Sequence, residues 1–297
     1  MPLRRSIRPS CWPRWPTKVI DVIACIGEAL AVARGRIPAS EARLLLGALL
    51  GCSTAQIAAY PERVLTPGLA ARFADLLERR AAGEPVAYLL GTREFFGRDF
   101  RVTPAVLIPR PETELIVELV LARVTTNDGT PRILDLGTGS GVLAVTLALE
   151  LPGARLTAVD RSAEALDIAR VNAAALGAQV DFIESDWFAA VDGRGFDFVV
   201  SNPPYIPVDD PHLAEGDVRF EPTGALASGQ AGLDDLARIV AGAPAFLMPG
   251  GWLMMEHGYD QAASVRALLA GAGFDAVASA RDLAGIERVS YGCWRAS

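Results

Sequence analysis

Lysine is almost missing from this 297-residue chain: Lys18 stands alone among 28 basic residues, and His212 and His257 are the two histidines. The net charge of −7 is uneven, because residues 1–18 carry Arg4, Arg5, Arg8, Arg14 and Lys18 without one acid, which leaves −12 on the remainder. A body that acidic, with no arginine-rich run after Lys18, repels a phosphate backbone, since non-specific nucleic-acid affinity comes from Lys and Arg on phosphates. No stable nucleic-acid partner is expected. The cysteines Cys11, Cys25, Cys52 and Cys293 show no C-x-x-C spacing. Neither a zinc site nor a disulfide framework is indicated, and reduced cytoplasmic thiols follow. The apolar run "VIDVIACIGEALAVA" is broken by Asp21 and Glu28, short of the roughly 18 uncharged residues of a membrane span. The first 18 residues lack the apolar stretch of a secretory signal, and their four prolines would break a transit helix. A loose basic extension is expected there, with no membrane partner and a monomeric chain.

What is present suits a folded enzyme-sized protein: 51% hydrophobic and 21% charged residues, enough to bury a sizeable core. Length favours two domains of unequal size. From residue 19 to about 84 the apolar periodicity is helical throughout, with helices expected at 19–34, 39–50, 54–60 and 67–82. Ser40, Ser53 and Thr66 lie near the starts, and Pro61 and Gly83 near the stops. "REFFGRDFRV" (93–102) alternates around Gly97 and reads as a hairpin within a linker spanning 85–108. From 109 to 297, strand-like runs at 131–136, 155–160, 179–184 and 196–201 alternate with helices at 141–150, 162–176 and 232–246. That rhythm predicts a parallel, doubly wound α/β sheet. "GWLMMEHG" and the segments 274–280 and 286–294 add further strands.

The first strand ends in "ILDLGTGSG", which places Asp135, Gly137, Thr138, Gly139, Ser140 and Gly141 at a strand-to-helix turn. Glycine is needed where backbone must turn tightly and approach a ligand. The spacing is G-x-G-x-G, and the third glycine of a dinucleotide fingerprint would fall on Val142. A ligand without phosphate, such as S-adenosylmethionine, fits that departure, with Asp135 supporting its amino-acid end. Asp160 at the tip of the second strand suits two ribose hydroxyls. After the third, Asp186 suits an adenine amine, and Trp187 its ring. Each has a bland alternative, as a tight turn, a helix cap or a core aromatic. Their register after successive strands favours a nucleoside cofactor.

The fourth strand delivers "SNPPY" to the same sheet edge. Pro203 forces Asn202 into an extended backbone, and Pro203 and Pro204 have fixed φ and no N–H. The Asn202 side-chain carbonyl, the Pro203 backbone carbonyl and the flat face of Tyr205 then suit a planar group presenting an NH2. Adenine N6, cytosine N4, guanine N2 and a glutamine side chain all qualify. No residue stands out as a strong general base. Catalysis is therefore expected to rest on positioning.

"LIPRPETE" (107–114), "ILDLGTGSG" (133–141), "SNPPYI" (201–206) and "GDVRFEPTGAL" (216–226) together resemble the bacterial release-factor glutamine methyltransferases, with good register from about Gly83 to Trp294. The resemblance implies a Rossmann-like class I S-adenosylmethionine-dependent methyltransferase domain of seven strands at 109–297. It also implies a small all-helical domain at 19–84 that docks the release factor, joined through a β-hairpin. The implied reaction is N5-methylation of the glutamine in the Gly-Gly-Gln loop of class 1 peptide chain release factors, with S-adenosylmethionine as methyl donor and no metal. By motif, Gly137 to Gly141, Asp160, Trp187 and Asn202 hold the cofactor, while Asn202, Pro203, Pro204 and Tyr205 hold the glutamine. "PRPETE" (109–114) closes over the substrate pocket, and Arg219 and Glu221 pin the loop after Tyr205. Structural roles are expected for both histidines. Two alternatives share the N-P-P-Y loop: glutamine methylation of a large-subunit ribosomal protein, and adenine-N6 methylation of DNA. The acidic body and the lack of a target-recognition region count against the second.

Overall fold

The computed structural model describes residues 23–124, 130–193 and 195–295. The extension expected at 1–18 and the first four residues of the helix expected at 19–34 lie outside these. The chain forms two compact units, which meet in sequence between Leu89 and Leu90.

In the first unit, α1 (Ile26–Ala33), α2 (Ala39–Leu50), α3 (Thr54–Ala59) and α4 (Pro67–Ala81) precede a short α5 (Val86–Leu90). Two of the expected start signals are true caps. Ser53 accepts from the Gln56 amide in a capping box, and Thr66 accepts from Leu69 with Pro67 in the first turn, satisfying amides that have no partner inside the helix. Ser40 lies inside α2, which starts after Pro38 with no side-chain cap. Glu41 of α2 is tied to Arg80 of α4 at 2.7 Å. A feature absent from the helical pattern is an isolated antiparallel bridge, Cys25 to Val64.

The second unit opens with an antiparallel hairpin, β1 (Thr92–Phe95) and β2 (Arg98–Arg101). Phe96 and Gly97 between them both have positive φ, the backbone twist that suits a two-residue hairpin loop. There follow α6 (Glu114–Leu121), β3 (Arg132–Leu136), α7 (Val142–Glu150), β4 (Arg155–Asp160), α8 (Ala163–Leu176), β5 (Asp181–Glu184) and β6 (Phe196–Ser201). The chain ends with α9 (Asp234–Gly242), β7 (Leu247–Glu256), α10 (Ala262–Gly271), β8 (Phe274–Arg281) and β9 (Glu287–Trp294). The hairpin packs onto the helices: Arg98 pairs with Glu150, and Asn172 of α8 exchanges two hydrogen bonds with the Arg101 backbone.

The seven strands lie in the order β5-β4-β3-β6-β7-β9-β8. The five from β3 to β7 are parallel, as the alternation predicts. The sheet as a whole is mixed, because β9 runs antiparallel between β7 and β8. The cause is the connection: α10 carries the chain past a vacant slot to β8, and the short turn at 282–286 leaves β9 no length for a crossover, so it can only fold back.

Strand alternation sorts the core into two layers. Ile133, Phe198, Val200 and Met254 face the layer containing α6 and α7, whereas Leu134, Leu136, Val199 and Leu253 face the one containing α9 and α10. Each such fully buried side chain stabilises the fold by about 1.5–3 kcal/mol. The same alternation puts Asp135 on the α7 side, under the helix that follows it. Strand order reverses between β3 and β6, where open α/β sheets leave a crevice beyond the strand ends.

Candidate active site

Leu136, the last residue of β3, is the register partner of Ser201, the last of β6. The glycine turn and the N-P-P-Y loop therefore leave the sheet side by side, and one cavity lies between them. Gly137, Thr138, Gly139, Ser140, Asp160, Trp187, Asn202 and Pro204 all line it; Gly141, Pro203 and Tyr205 do not.

The glycine turn is built from the chain's own backbone donors. Gly137 and Thr138 donate to the Val159 carbonyl, and the Gly139 amide donates to Asp160 Oδ2 at 2.9 Å. Gly137 and Gly139 have φ of 70° and 56°, a region costly for residues with a Cβ. A Cβ at Gly139 would meet nothing within 4 Å, so that face is open to a ligand. Gly141, with φ 85°, has another reason: its Cβ would stand 3.1 Å from that of Ala169, so glycine there lets α8 pack close.

Asp135 is buried, and one oxygen, Oδ2, takes both of its donors, Thr138 Oγ1 at 2.6 Å and the Ala144 amide at 3.2 Å. Its Oδ1 has no hydrogen-bond partner within the protein. Burial pushes its pKa up to about 7, against the pull of the Thr138 and Ala144 hydrogen bonds. An orphaned carboxylate oxygen in the wall of a cavity is suited to a ligand's ammonium group, which would supply both a proton donor and a charge.

Trp187, at φ 52°, has its indole against Gly137 and donates Nε1–H to Asp235 Oδ1 at 3.1 Å. A bulky residue in left-handed backbone is uncommon, and the hydrogen bond holds the ring in place. Asp186 also lines the cavity, but its carboxylate is paired with Arg238 at 2.8 Å.

The N-P-P-Y loop is braced from behind. Gln261 donates to the Tyr205 carbonyl at 2.9 Å, and the Tyr205 and Ile206 amides donate to the Leu226 carbonyl. A Cβ on Gly232 would collide with that same Tyr205 carbonyl. Asn202 donates Nδ2–H to Thr113 Oγ1 at 3.0 Å, and Thr113 donates to Glu256 Oε2 at 2.6 Å. The Tyr205 hydroxyl reaches the other oxygen of Glu256 at 3.1 Å. Tyr205 thus turns its polar end away from the cavity, and burial together with the Glu256 charge pushes its ionisation well above the ordinary range. Glu256 is itself pushed up to about 7 by burial.

"PRPETE" forms a 3-10 turn at Pro111–Thr113 that runs into α6, and Pro109, Arg110 and Thr113 line the cavity. Glu221 pins this segment: its buried carboxylate accepts from the Ile108 amide at 2.9 Å and from Arg110 at 2.5 Å. Because Glu221 lies in the segment after Tyr205, these bonds pin that loop to residues 108–110, of which Pro109 and Arg110 line the cavity. His257 is buried, with Nε2 2.8 Å from Ser290 Oγ, and burial lowers its pKa. His212 is exposed beside Asp210.

Thr113 and Glu256 are the residues that motif reading missed. Glu256 did leave a signal, as a lone acid closing the apolar strand "GWLMME", since an unpaired buried carboxylate is costly.

A glycine turn after the first parallel strand, an acid after the second and an asparagine loop after the fourth, in a seven-stranded sheet whose last strand is antiparallel, define a class I S-adenosylmethionine-dependent methyltransferase. The Methyltransferase small domain family matches residues 113–213 and the PrmC N-terminal domain family residues 21–91. Release factor glutamine methyltransferases of Burkholderia pseudomallei and Bordetella pertussis are 55% and 52% identical, over 86% of this chain and 92% and 95% of theirs. The chain belongs to the release factor glutamine methyltransferase family. Among solved structures, a methyltransferase from Pyrococcus furiosus shares the fold at TM-score 0.52 and 18% identity, covering 75% of this chain and all of that one. The T. thermophilus 16S rRNA N2 G1207 methyltransferase does so at TM-score 0.51 and 22% identity, covering 69% of this chain and 50% of that one.

Proposed function

We propose that this cavity transfers a methyl group to the side-chain amide nitrogen, N5, of the glutamine in the Gly-Gly-Gln loop of class 1 peptide chain release factors. The observation that carries the reading is the register of Leu136 with Ser201, which sets a cofactor turn and an amide-binding loop at one level. S-adenosylmethionine, when bound, supplies an electrophilic methyl group on sulfur. Asp135 Oδ1 would take its ammonium, Asp160 its ribose hydroxyls, and Trp187 would lie along its base.

Asn202 and Pro203 hold the acceptor. The Asn202 Nδ2 donates to Thr113, so its Oδ1 is left to accept one N–H of the glutamine; the family resemblance assigns the other to the Pro203 carbonyl, which the substrate would have to reach beyond the present cavity lining. Pro204 and Tyr205 keep the loop rigid behind them. An amide nitrogen is a weak nucleophile because its lone pair is delocalised. Two fixed acceptors orient it for in-line attack and exclude unproductive poses, an effect worth several kcal/mol of barrier. Among the described residues Asn202 is hydrogen-bonded to Thr113 and to no carboxylate, so the proton of the methylated amide is assigned to water after transfer.

The helical unit is assigned the docking of the release factor, in the cytoplasm and without nucleic acid. Its relatives' shared name supports the partner, and no helix of the described residues is long and apolar enough to cross a membrane. Incubation with labelled S-adenosylmethionine and, separately, a release factor, a large-subunit ribosomal protein and duplex DNA tests the assignment. Label on the release-factor glutamine is expected. Label on DNA alone would overturn it.

A further inference from the structure

The two ends of an asparagine amide are nearly the same shape, and one offers an acceptor where the other offers donors. A site that needs the carbonyl end must therefore choose between two rotamers that differ by 180°. In this protein the choice is made by a buried chain of three side chains from distant parts of the sequence. Thr113 has one hydroxyl proton, and it lies on Glu256 Oε2 at 2.6 Å. Glu256 Oε1 accepts from Tyr205, so in the ionised form of Glu256, on which the arrangement depends, both oxygens act as acceptors. Thr113 Oγ1 can then only accept from Asn202, at 3.0 Å.

Reversing the amide would set Asn202 Oδ1 against the lone pairs of Thr113 Oγ1 with no proton between them. Water cannot repair the mismatch, because Thr113 and Glu256 are each 2% exposed. Two facing acceptors without solvent cost far more than the bond they replace. A carboxylate at 256 is itself a costly way to end an apolar strand, and its ability to accept at both oxygens is what this arrangement uses.

We propose that Thr113 and Glu256 are positioning residues that lock the Asn202 amide with its carbonyl toward the acceptor glutamine. The proposal rests on the reading above, in which Asn202 Oδ1 receives that glutamine. Neither residue takes a proton or bonds to the reacting atoms in this role; both act through Asn202. The consequence is a change in turnover rather than in the affinity for either substrate, because a misoriented amide still leaves the cavity and its walls intact.

The test compares Thr113→Val, Thr113→Ser, Glu256→Leu and the Thr113→Val/Glu256→Leu double variant of the full chain, with a release factor as acceptor. Thr113→Val is expected to lower kcat about 10- to 100-fold, the scale of a lost orienting contact. KM for the release factor and the calorimetric Kd for S-adenosylmethionine should stay within about threefold, a split that marks loss of a contact acting in turnover rather than in uniform binding. Thr113→Ser, which restores the hydroxyl, should recover most of kcat. Glu256→Leu should lose as much as Thr113→Val, and the double variant no more than either, because residues acting as one unit are not additive. Cofactor affinity reports folding of each variant, and if Glu256→Leu does not fold, the Val and Ser pair at 113 decides alone. A Thr113→Val enzyme with wild-type kcat overturns the proposal, as does a serine variant no better than valine. Failure of the underlying reading looks different: the wild-type protein would not methylate the glutamine at all.

Discussion

Ser201 donates its hydroxyl to the carbonyl of Leu136 at 2.7 Å, across the two central strands of the sheet. This fully buried bond pins the tips of β3 and β6 together at the point where strand order reverses. The glycine turn and the asparagine loop thus leave the sheet at a pinned, buried point, which suits the proposed reaction because it depends on positioning.

Asn202→Ala removes the side-chain acceptor while leaving both prolines in place. Methyl transfer is expected to fall more than about 100-fold, with calorimetric affinity for S-adenosylmethionine changed less than about threefold. Turnover near the wild-type rate would show that the pair of carbonyl acceptors does not hold the substrate.

Two glycines of the same turn should fail in different ways. Gly141→Ala places a Cβ 3.1 Å from Ala169 at φ 85° and is expected to lower stability by about 1–3 kcal/mol in urea unfolding. Gly139→Ala meets no protein atom within 4 Å. Beyond a backbone cost of about 1 kcal/mol, its methyl projects into the cavity, so its main effect should be weaker cofactor binding.

Glu221→Ala leaves Arg110 and the Ile108 amide without their shared acceptor. A loss of about 3 kcal/mol is expected, as for breaking a largely buried charged pair. Increased proteolysis between residues 105 and 113 would locate the damage on the cavity wall.

Asp135 and Glu256 give stability a pH dependence of definite sign. Burial raises both pKa values, to about 7 from ordinary values of 3.8 and 4.5, with Asp160 adding to the first and Glu112 opposing Arg288 at the second. A carboxyl raised by folding favours the native state fully below its unfolded pKa, and that contribution is lost as pH rises through the folded one. Urea midpoints of the protein without cofactor should therefore fall between about pH 4.5 and 7 from these two groups. Asp135→Asn and Glu256→Gln should each flatten that part of the profile, and an unchanged slope in both would show that these carboxyls ionise normally.

Much of the site was legible in short stretches of sequence. The glycine turn, Asp160 and the asparagine loop could be read because each constraint acts within a few residues: positive φ demands glycine, and proline fixes its own backbone and that of its predecessor. Gly141 belonged to the motif by spacing, yet it serves the packing of α7 against Ala169. The same letter in the same turn answers two different needs, and only the neighbours distinguish them. Asp186 lines the cavity from its strand end, and the structure adds what the sequence did not show, that one of its oxygens pairs with Arg238, 52 residues on.

By itself the sequence determined the alternation of strands and helices, the rigid turns that end β3 and β6, and a net charge of −7. All of these follow from local backbone preferences or from composition. Tertiary structure alone decided that β9 inserts antiparallel between β7 and β8, that Tyr205 turns its hydroxyl onto Glu256, and that Thr113 meets an acid 143 residues away to orient Asn202. Those outcomes depend on strand order and on competition for a few buried donors and acceptors. A chain read in order does not show which distant groups will meet until the sheet has brought them together.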